Sequence, residues 1–231
     1  MEVKSEILES QKPTSHLNGV VKAIHYPFEK AADVLAWAEV DPNRVTASKV
    51  LITLPALGVH QYHPVAGVAV FIAGSLADVL DGKLARKTGK SSMEGAVLDA
   101  LTDKVVNAYM YLYVATQLDW KNLPQDQVLI VLMALNACVD VVSQKMRGSL
   151  WQQVKDSMRV VWDPATATPG ENSQKANNAG KIKAHLQCYG IVSALLSMNQ
   201  PVFQFLALAL FSSSLLFAAK SIRGRSKGAR T

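Results

Sequence analysis

The chain has 231 residues, 49% of them hydrophobic and only 18% charged, against about 25% charged in an ordinary soluble domain. That excludes a disordered tail, a collagen and a coiled-coil rod, while a mean hydropathy of +0.13 fits either a greasy soluble enzyme or a small membrane protein with polar ends. The net charge of +6 points to nucleic acid or to an anionic membrane surface, and the positions of the charges decide between them.

The first 16 residues lack an apolar core, so no secretory signal is read and the chain is expected to start in the cytoplasm. Leu17, Val20, Ile24, Phe28, Ala31 and Leu35 then recur at helical spacing and predict an amphipathic helix lying in the membrane interface, bent or broken by Pro27. From Val50 to Ala77 come 28 residues without Lys, Arg, Asp or Glu, too many for one span of about 20 residues. The polar stretch Gly58–Pro64 interrupts this run, which reads as two helices joined by a tight turn. Ala96–Leu118 and Val128–Met146, separated by the turn-like Asp119–Asp126, predict a third and a fourth span.

Leu150, Trp151, Val154, Met158, Val161 and Trp162 repeat the amphipathic pattern, for which surface packing without a ligand is the simplest account. Asp163–Asn178, rich in Pro, Ala, Thr and Asn, reads as a flexible loop. Ala184–Ala219 is a second uncharged run, of 36 residues, broken at Asn199-Gln200-Pro201 into a fifth and a sixth span. Cys138 and Cys188 lie in apolar stretches without metal-ligand or redox spacing, so a disulfide scaffold is not expected.

Basic residues supply an independent test of this reading. With both termini inside, 22 of the 24 Lys and Arg fall in the inside segments, Lys121 falls outside and Lys104 lies within the third span. The expected fold is therefore an all-α membrane protein, a six-transmembrane-helix bundle with an N-terminal interfacial amphipathic helix. Residues 1–43 form the cytoplasmic arm, 44–223 the membrane domain with a long inside loop at 147–180, and 224–231 a basic tail. This topology accounts for the positive charge without nucleic acid. Both termini face the cytoplasmic side of a bacterial inner membrane or the corresponding side of an organelle membrane.

Carboxylates inside a span are costly and raise a functional hypothesis by default. Asp78 and Asp81 end the second span, and Asp99 and Asp103 lie in the third, each pair on one helix face. Capping or snorkelling accounts for any one of them, but not for four together. Lys104 and Arg86 cannot neutralise four carboxylates, whereas hard divalent cations such as Mg²⁺ or Mn²⁺ can, and four carboxylates can hold two ions.

Read straight through, the segment is Asp78-x2-Asp81-Gly82-x2-Ala85-Arg86-x8-Gly95-x3-Asp99-x3-Asp103. This resembles the signature of the CDP-alcohol phosphotransferase family, with every specified residue present. At about one chance in twenty per position, such a match arises at about one start in 10¹⁰. Asn43 and Thr46 resemble the Asn-x-x-Thr that opens the family's first helix, although Lys49 stands where an Arg is common. Gly180-Lys181-Ile182-Lys183 resembles the Gly-Lys-x-Lys-Thr stretch of phosphatidylglycerophosphate synthases, with Ala184 in place of Thr. Ala100 and Thr102 depart from the frequent Asp-Pro-x-Ala-Asp-Lys.

The resemblance implies transfer of a phosphatidyl group from CDP-diacylglycerol to an alcohol, with release of CMP. It makes Asp78, Asp81, Asp99 and Asp103 the ligands of two Mg²⁺ or Mn²⁺ ions, and Asp103 also the general base. Asn43, Thr46, Gly82, Ala85, Arg86 and Gly95 are then expected at the nucleotide. Arg147, Lys181 and Lys183 are the candidates for an acceptor phosphate, with positive-inside topology as the plain alternative. Asp140 is read as a structural partner of a basic neighbour such as Lys104 or Lys145, while His60 and His63 at the outer turn and the lone His185 receive no chemistry. The expected acceptor is sn-glycerol 3-phosphate, with cardiolipin synthesis and then phosphatidylinositol phosphate synthesis as alternatives. Oligomeric state stays open, a homodimer among the options. A hydrolase of the same CDP-lipid would share every metal ligand, and a cation carrier would explain the carboxylates but not Gly82, Ala85, Arg86 and Gly95.

Overall fold

The computed structural model describes residues 15–119, 121, 123–168 and 178–228, with side chains between Tyr26 and Arg223. Among them the chain is nearly all helical and contains no strand. The helices are α1 (Ser15–Trp37), α2 (Pro42–Thr53), α3 (Pro55–Tyr62), α4 (Pro64–Thr88), α5 (Met93–Gln117), α6 (Pro124–Lys145), α7 (Leu150–Trp162), α8 (Asn178–Ser197) and α9 (Val202–Gly228), with a 3₁₀ turn at Pro164–Thr166. Among the described residues three helical stretches are long and apolar enough to cross a membrane: Pro64–Thr88, Pro124–Lys145 and Val202–Arg223. At the third and fifth expected spans, α5 carries Asp99, Asp103 and Lys104, and α8 carries Lys181 and Lys183.

Polarity is partly inverted relative to a water-soluble protein. Leu112, Phe205, Leu216 and Val202 are exposed, while Asn136, Asp140, Gln144, Lys183, Gln187 and Ser214 are buried. An apolar exterior of this extent suits lipid as solvent, where packing and internal hydrogen bonds hold helices together. The apolar core gathers Phe71, Val106, Met110, Val114, Leu129, Met133, Ile191, Leu195 and Phe211 from α4, α5, α6, α8 and α9.

The helices α2 and α3 run against α4 as a hairpin folded at His63 and Pro64. Contacts step outward from that fold in antiparallel register: His60 against Gly67, Thr53 against Gly74, Lys49 against Asp78, Thr46 against Asp81. The reversal differs from the expected turn over Gly58–Pro64, because the chain stays helical through Tyr62. His60 explains this: its buried ring bonds Tyr113 Oη at 3.0 Å and faces the Leu195 carbonyl at 3.2 Å, which requires an inward-facing helix there. Pro55 splits the expected first span into α2 and α3, with only Leu54 between them.

Small residues permit the close crossings. A Cβ on Gly74 would stand 2.0 Å from Thr53 Cγ2, and Thr53 is held in place by hydrogen bonds to the Lys49 carbonyl and Tyr109 Oη. Gly74→Ala is therefore expected to cost about 1–3 kcal/mol by overpacking. Thermal unfolding in detergent, with a midpoint several degrees lower, is the check.

The helix α1 runs through Pro27 without a break, so of the expected bend or break the break does not occur. Of its apolar stripe, Leu17, Val20 and Ile24 lie outside the described side chains, while Phe28, Ala31 and Leu35 are half-buried. Ion pairs from Lys83 to Glu29 and from Lys87 to Asp33 join α1 to the end of α4. In α7 the buried positions are Gln153, Ser157 and Val160, while Trp151, Met158 and Trp162 point outward. Gln144 Nε2 donates to Gln153 Oε1 at 2.6 Å, so the polar stripe clasps the bundle and the apolar stripe is left outside.

The connection between α5 and α6 is shorter than Asp119–Asp126, because Pro124 starts α6 and Asp126 accepts the Asp119 backbone N–H at 2.8 Å within the first turn. The helix α8 begins at Asn178, which places the basic Lys181 and Lys183 on its first turns. The remainder of the expected flexible loop, residues 169–177, lies outside the described residues.

Candidate active site

Two helix ends and one short link place the acidic residues. The helix α4 presents Asp78, Asp81, Gly82, Ala85 and Arg86 and ends at Gly89, whose φ of 67° is the left-handed cap that favours glycine. The chain re-enters a helix at Ser92, whose side chain accepts the Gly95 N–H at 3.0 Å and starts α5 with Gly95, Asp99 and Asp103 on one face.

One ligand oxygen each from Asp78, Asp99 and Asp103 lies within 4.8 Å of the others. Asp99 Oδ1 is buried and has no hydrogen-bond partner. An all-oxygen donor set with an orphaned buried oxygen fits a hard divalent cation. Asp81 faces the same space, but its carboxylate accepts the Thr46 hydroxyl at 2.5 Å and stands outside that three-residue group.

Sequence reasoning missed the cation that faces these acids. Lys49 Nζ lies 2.8 Å from Asp78 Oδ1 and also pairs with Asp103. It comes from α2, one turn before Thr53, so the Gly74 crossing sets its depth. The only available signal was its position in the pattern that follows Asn43 and Thr46. Lys104, a basic neighbour expected for Asp140, lies 3.9 Å from it.

The four carboxylates border one cavity of about 580 Å³. Its wall includes Asp78, Asp81, Asp99 and Asp103, then Asn43, Thr46, Gly82, Ala85, Arg86 and Gly95, and also Arg147, Lys181 and Lys183. His185 and Gln187, to which the sequence reading gave no role there, line it too, as does Lys104. A Cβ on Gly95 would approach Asn43 Oδ1 to 2.6 Å, so Gly95 is needed for α2 to lie close against α5. At Gly82 the nearest atom to such a Cβ is Arg86 Nη1 at 3.6 Å; there the missing side chain keeps the cavity open.

Lys183 does not stand alone in the wall. It pairs with Asp140, so the partner of Asp140 is Lys183 with Lys104 behind it, and Lys145 is exposed elsewhere. Five residues along one helix put Asp140 and Lys145 on different faces, which is why that pairing does not form.

A helical bundle with apolar flanks and a carboxylate cluster opening into a basic cavity suits a membrane protein with a site for divalent metal. The chain belongs to the CDP-alcohol phosphatidyltransferase family, whose model matches residues 40–217. Members of that family depend on divalent metal, and they are transferases of phospholipid biosynthesis. The chain is 26% identical over 179 residues to the CDP-diacylglycerol–inositol 3-phosphatidyltransferase of Saccharomyces cerevisiae, a match over 76% of this chain and 71% of that protein. It is 32% identical over 103 residues to the archaetidylinositol phosphate synthase of Pyrococcus horikoshii, a match over 43% of this chain and 53% of that one. No solved structure matches significantly.

Proposed function

We propose that this protein transfers the phosphatidyl group of CDP-diacylglycerol to a phosphorylated inositol and releases CMP. The observation that carries the reaction type is the Asp78, Asp99 and Asp103 cluster on the wall of a cavity that Gly82, Gly95 and Arg86 also line. The acceptor reading draws on the two relatives, both named for inositol lipids, and on Arg147, Lys181 and Lys183, which suit a phosphate. A glycerol 3-phosphate acceptor is the second reading, favoured by the stretch Gly180-Lys181-Ile182-Lys183.

Asp78, Asp99 and Asp103, with Asp81 alongside, would hold the divalent cations, whose chemistry here would be to neutralise charge on the diphosphate and on the departing CMP. Asp103 takes the proton of the acceptor hydroxyl as that oxygen bonds to the lipid-side phosphorus and the bond from this phosphorus to the CMP oxygen breaks. Lys49 pairs with the Asp103 carboxylate and helps hold it in place. Arg86 forks onto a phosphate, and Asn43, Thr46 and Gly82 border the nucleotide.

The six-span topology, with the site on the basic side, belongs to the same reading. It is supported by the 22 of 24 basic residues that this arrangement puts inside, and by a lipid donor that needs a site open to the bilayer. Residues 44–223 then form the catalytic membrane domain.

An acceptor panel of inositol, inositol phosphate, glycerol 3-phosphate and phosphatidylglycerol, with lipid products identified by mass, tests the acceptor. Inositol phosphate is expected to give the most product. A glycerol 3-phosphate product in excess selects the second reading, and product from unphosphorylated inositol alone rejects both.

A further inference from the structure

Behind the cavity wall lies a second polar cluster, outside the acidic signature. Asp140, 3% exposed, accepts hydrogen bonds from Lys183 Nζ on Oδ1 and from Gln187 Nε2 on Oδ2 at 3.1 Å. Lys104 Nζ stands 3.9 Å from the same Oδ1. Gln187 Nε2 also donates to Asn136 Oδ1 at 3.2 Å, and Asn136 Nδ2 donates to the carbonyls of Leu132 at 2.9 Å and Phe211 at 3.3 Å. The Ser214 hydroxyl donates to Asn136 Oδ1 as well. Side chains of α5 and α8 therefore converge on one buried carboxylate of α6, and α9 joins the cluster through Asn136.

Lys104, Lys183 and Gln187 line the cavity, whereas Asp140 does not. A pair serving only to clasp two helices has no need to face the cavity, and here two ammonium groups share one carboxylate. The cluster thus keeps positive charge at the wall next to Arg147 and Lys181. Burial without fixed partners would be costly for Asp140, and its hydrogen bonds leave it little freedom.

We infer that Asp140 is a positioning residue for the acceptor, holding the Lys183 ammonium at the cavity wall where it meets the acceptor phosphate. The inference rests on the reading that the acceptor is phosphorylated. Asp140 touches no substrate and acts through Lys183.

The full-length protein in detergent, as wild type, Asp140→Asn, Lys183→Gln and the double variant, tests it with inositol phosphate and glycerol 3-phosphate as acceptors. Asp140→Asn is expected to raise the acceptor KM about tenfold, with kcat and the KM for CDP-diacylglycerol within about twofold of wild type. The double variant removes both charges of the buried pair and folds even where Asp140→Asn alone is strained. Its acceptor KM is expected to match that of Lys183→Gln alone. A folded double variant with wild-type acceptor KM makes the pair a helix clasp and overturns the inference. So do single effects that multiply in the double variant, because Asp140 then does not act through Lys183. A wild-type protein that accepts neither phosphorylated acceptor overturns the acceptor reading itself and this inference with it.

Discussion

Asp99→Asn is expected to lower phosphatidyl transfer by about 10³-fold or more while the protein still inserts and folds. The loss corresponds to several kcal/mol of charge stabilisation, which a neutral amide cannot give at a divalent-cation ligand position. Stability should move the other way or not at all. Asp99 Oδ1 is buried without a hydrogen-bond partner, and its oxygens share a small space with those of Asp78 and Asp103. Removing one negative charge relieves repulsion there and breaks no bond made by that oxygen. CMP release at saturating substrate, paired with a thermal melt in detergent, separates the two effects. Retained activity in a folded variant would remove Asp99 from the cation ligands, and a collapsed melt would make its role structural.

Asp103→Asn is expected to reduce kcat by about 10²–10⁴-fold, the range for loss of a positioned base, with little change in the KM for CDP-diacylglycerol. Lys49 loses one of its two carboxylate partners but keeps Asp78 at 2.8 Å, so the ammonium is not left buried and unpaired. The Asn side chain keeps the shape and one acceptor oxygen but cannot take a proton from the acceptor hydroxyl. Single-turnover measurement of CMP formation with both substrates prebound reads this step directly. Transfer at the wild-type rate would exclude Asp103 as the base and leave it a ligand only.

These two residues were legible in the sequence because their chemistry sits in local spacing. Asp78 with Asp81, and Asp99 with Asp103, are each one helical turn apart, and Gly82, Ala85 and Arg86 share the helix of the first pair. The paired uncharged runs likewise marked where the chain doubles back at His63 and Asn199. What the sequence hid depends on distant partners. Lys49 meets Asp78 and Asp103 across 29 and 54 residues, and Lys183 meets Asp140 across 43. Side chains three or four apart on one helix can be paired on paper, but partners on different helices depend on a crossing such as Gly74 against Thr53. The first turn was read too wide for a related reason. Gly58 looked like punctuation, but His60 finds its partners on α5 and α8, and this tertiary contact keeps the segment helical.

The central claim is that the cluster drives transfer to an alcohol rather than to water. Purified protein with labelled CDP-diacylglycerol, followed for CMP with and without inositol phosphate or glycerol 3-phosphate, and with and without a divalent-metal chelator, tests it most directly. CMP is expected to appear only with acceptor and metal together, matched mole for mole by a new phospholipid. CMP released at the same rate without any acceptor, or undiminished after chelation, would contradict it.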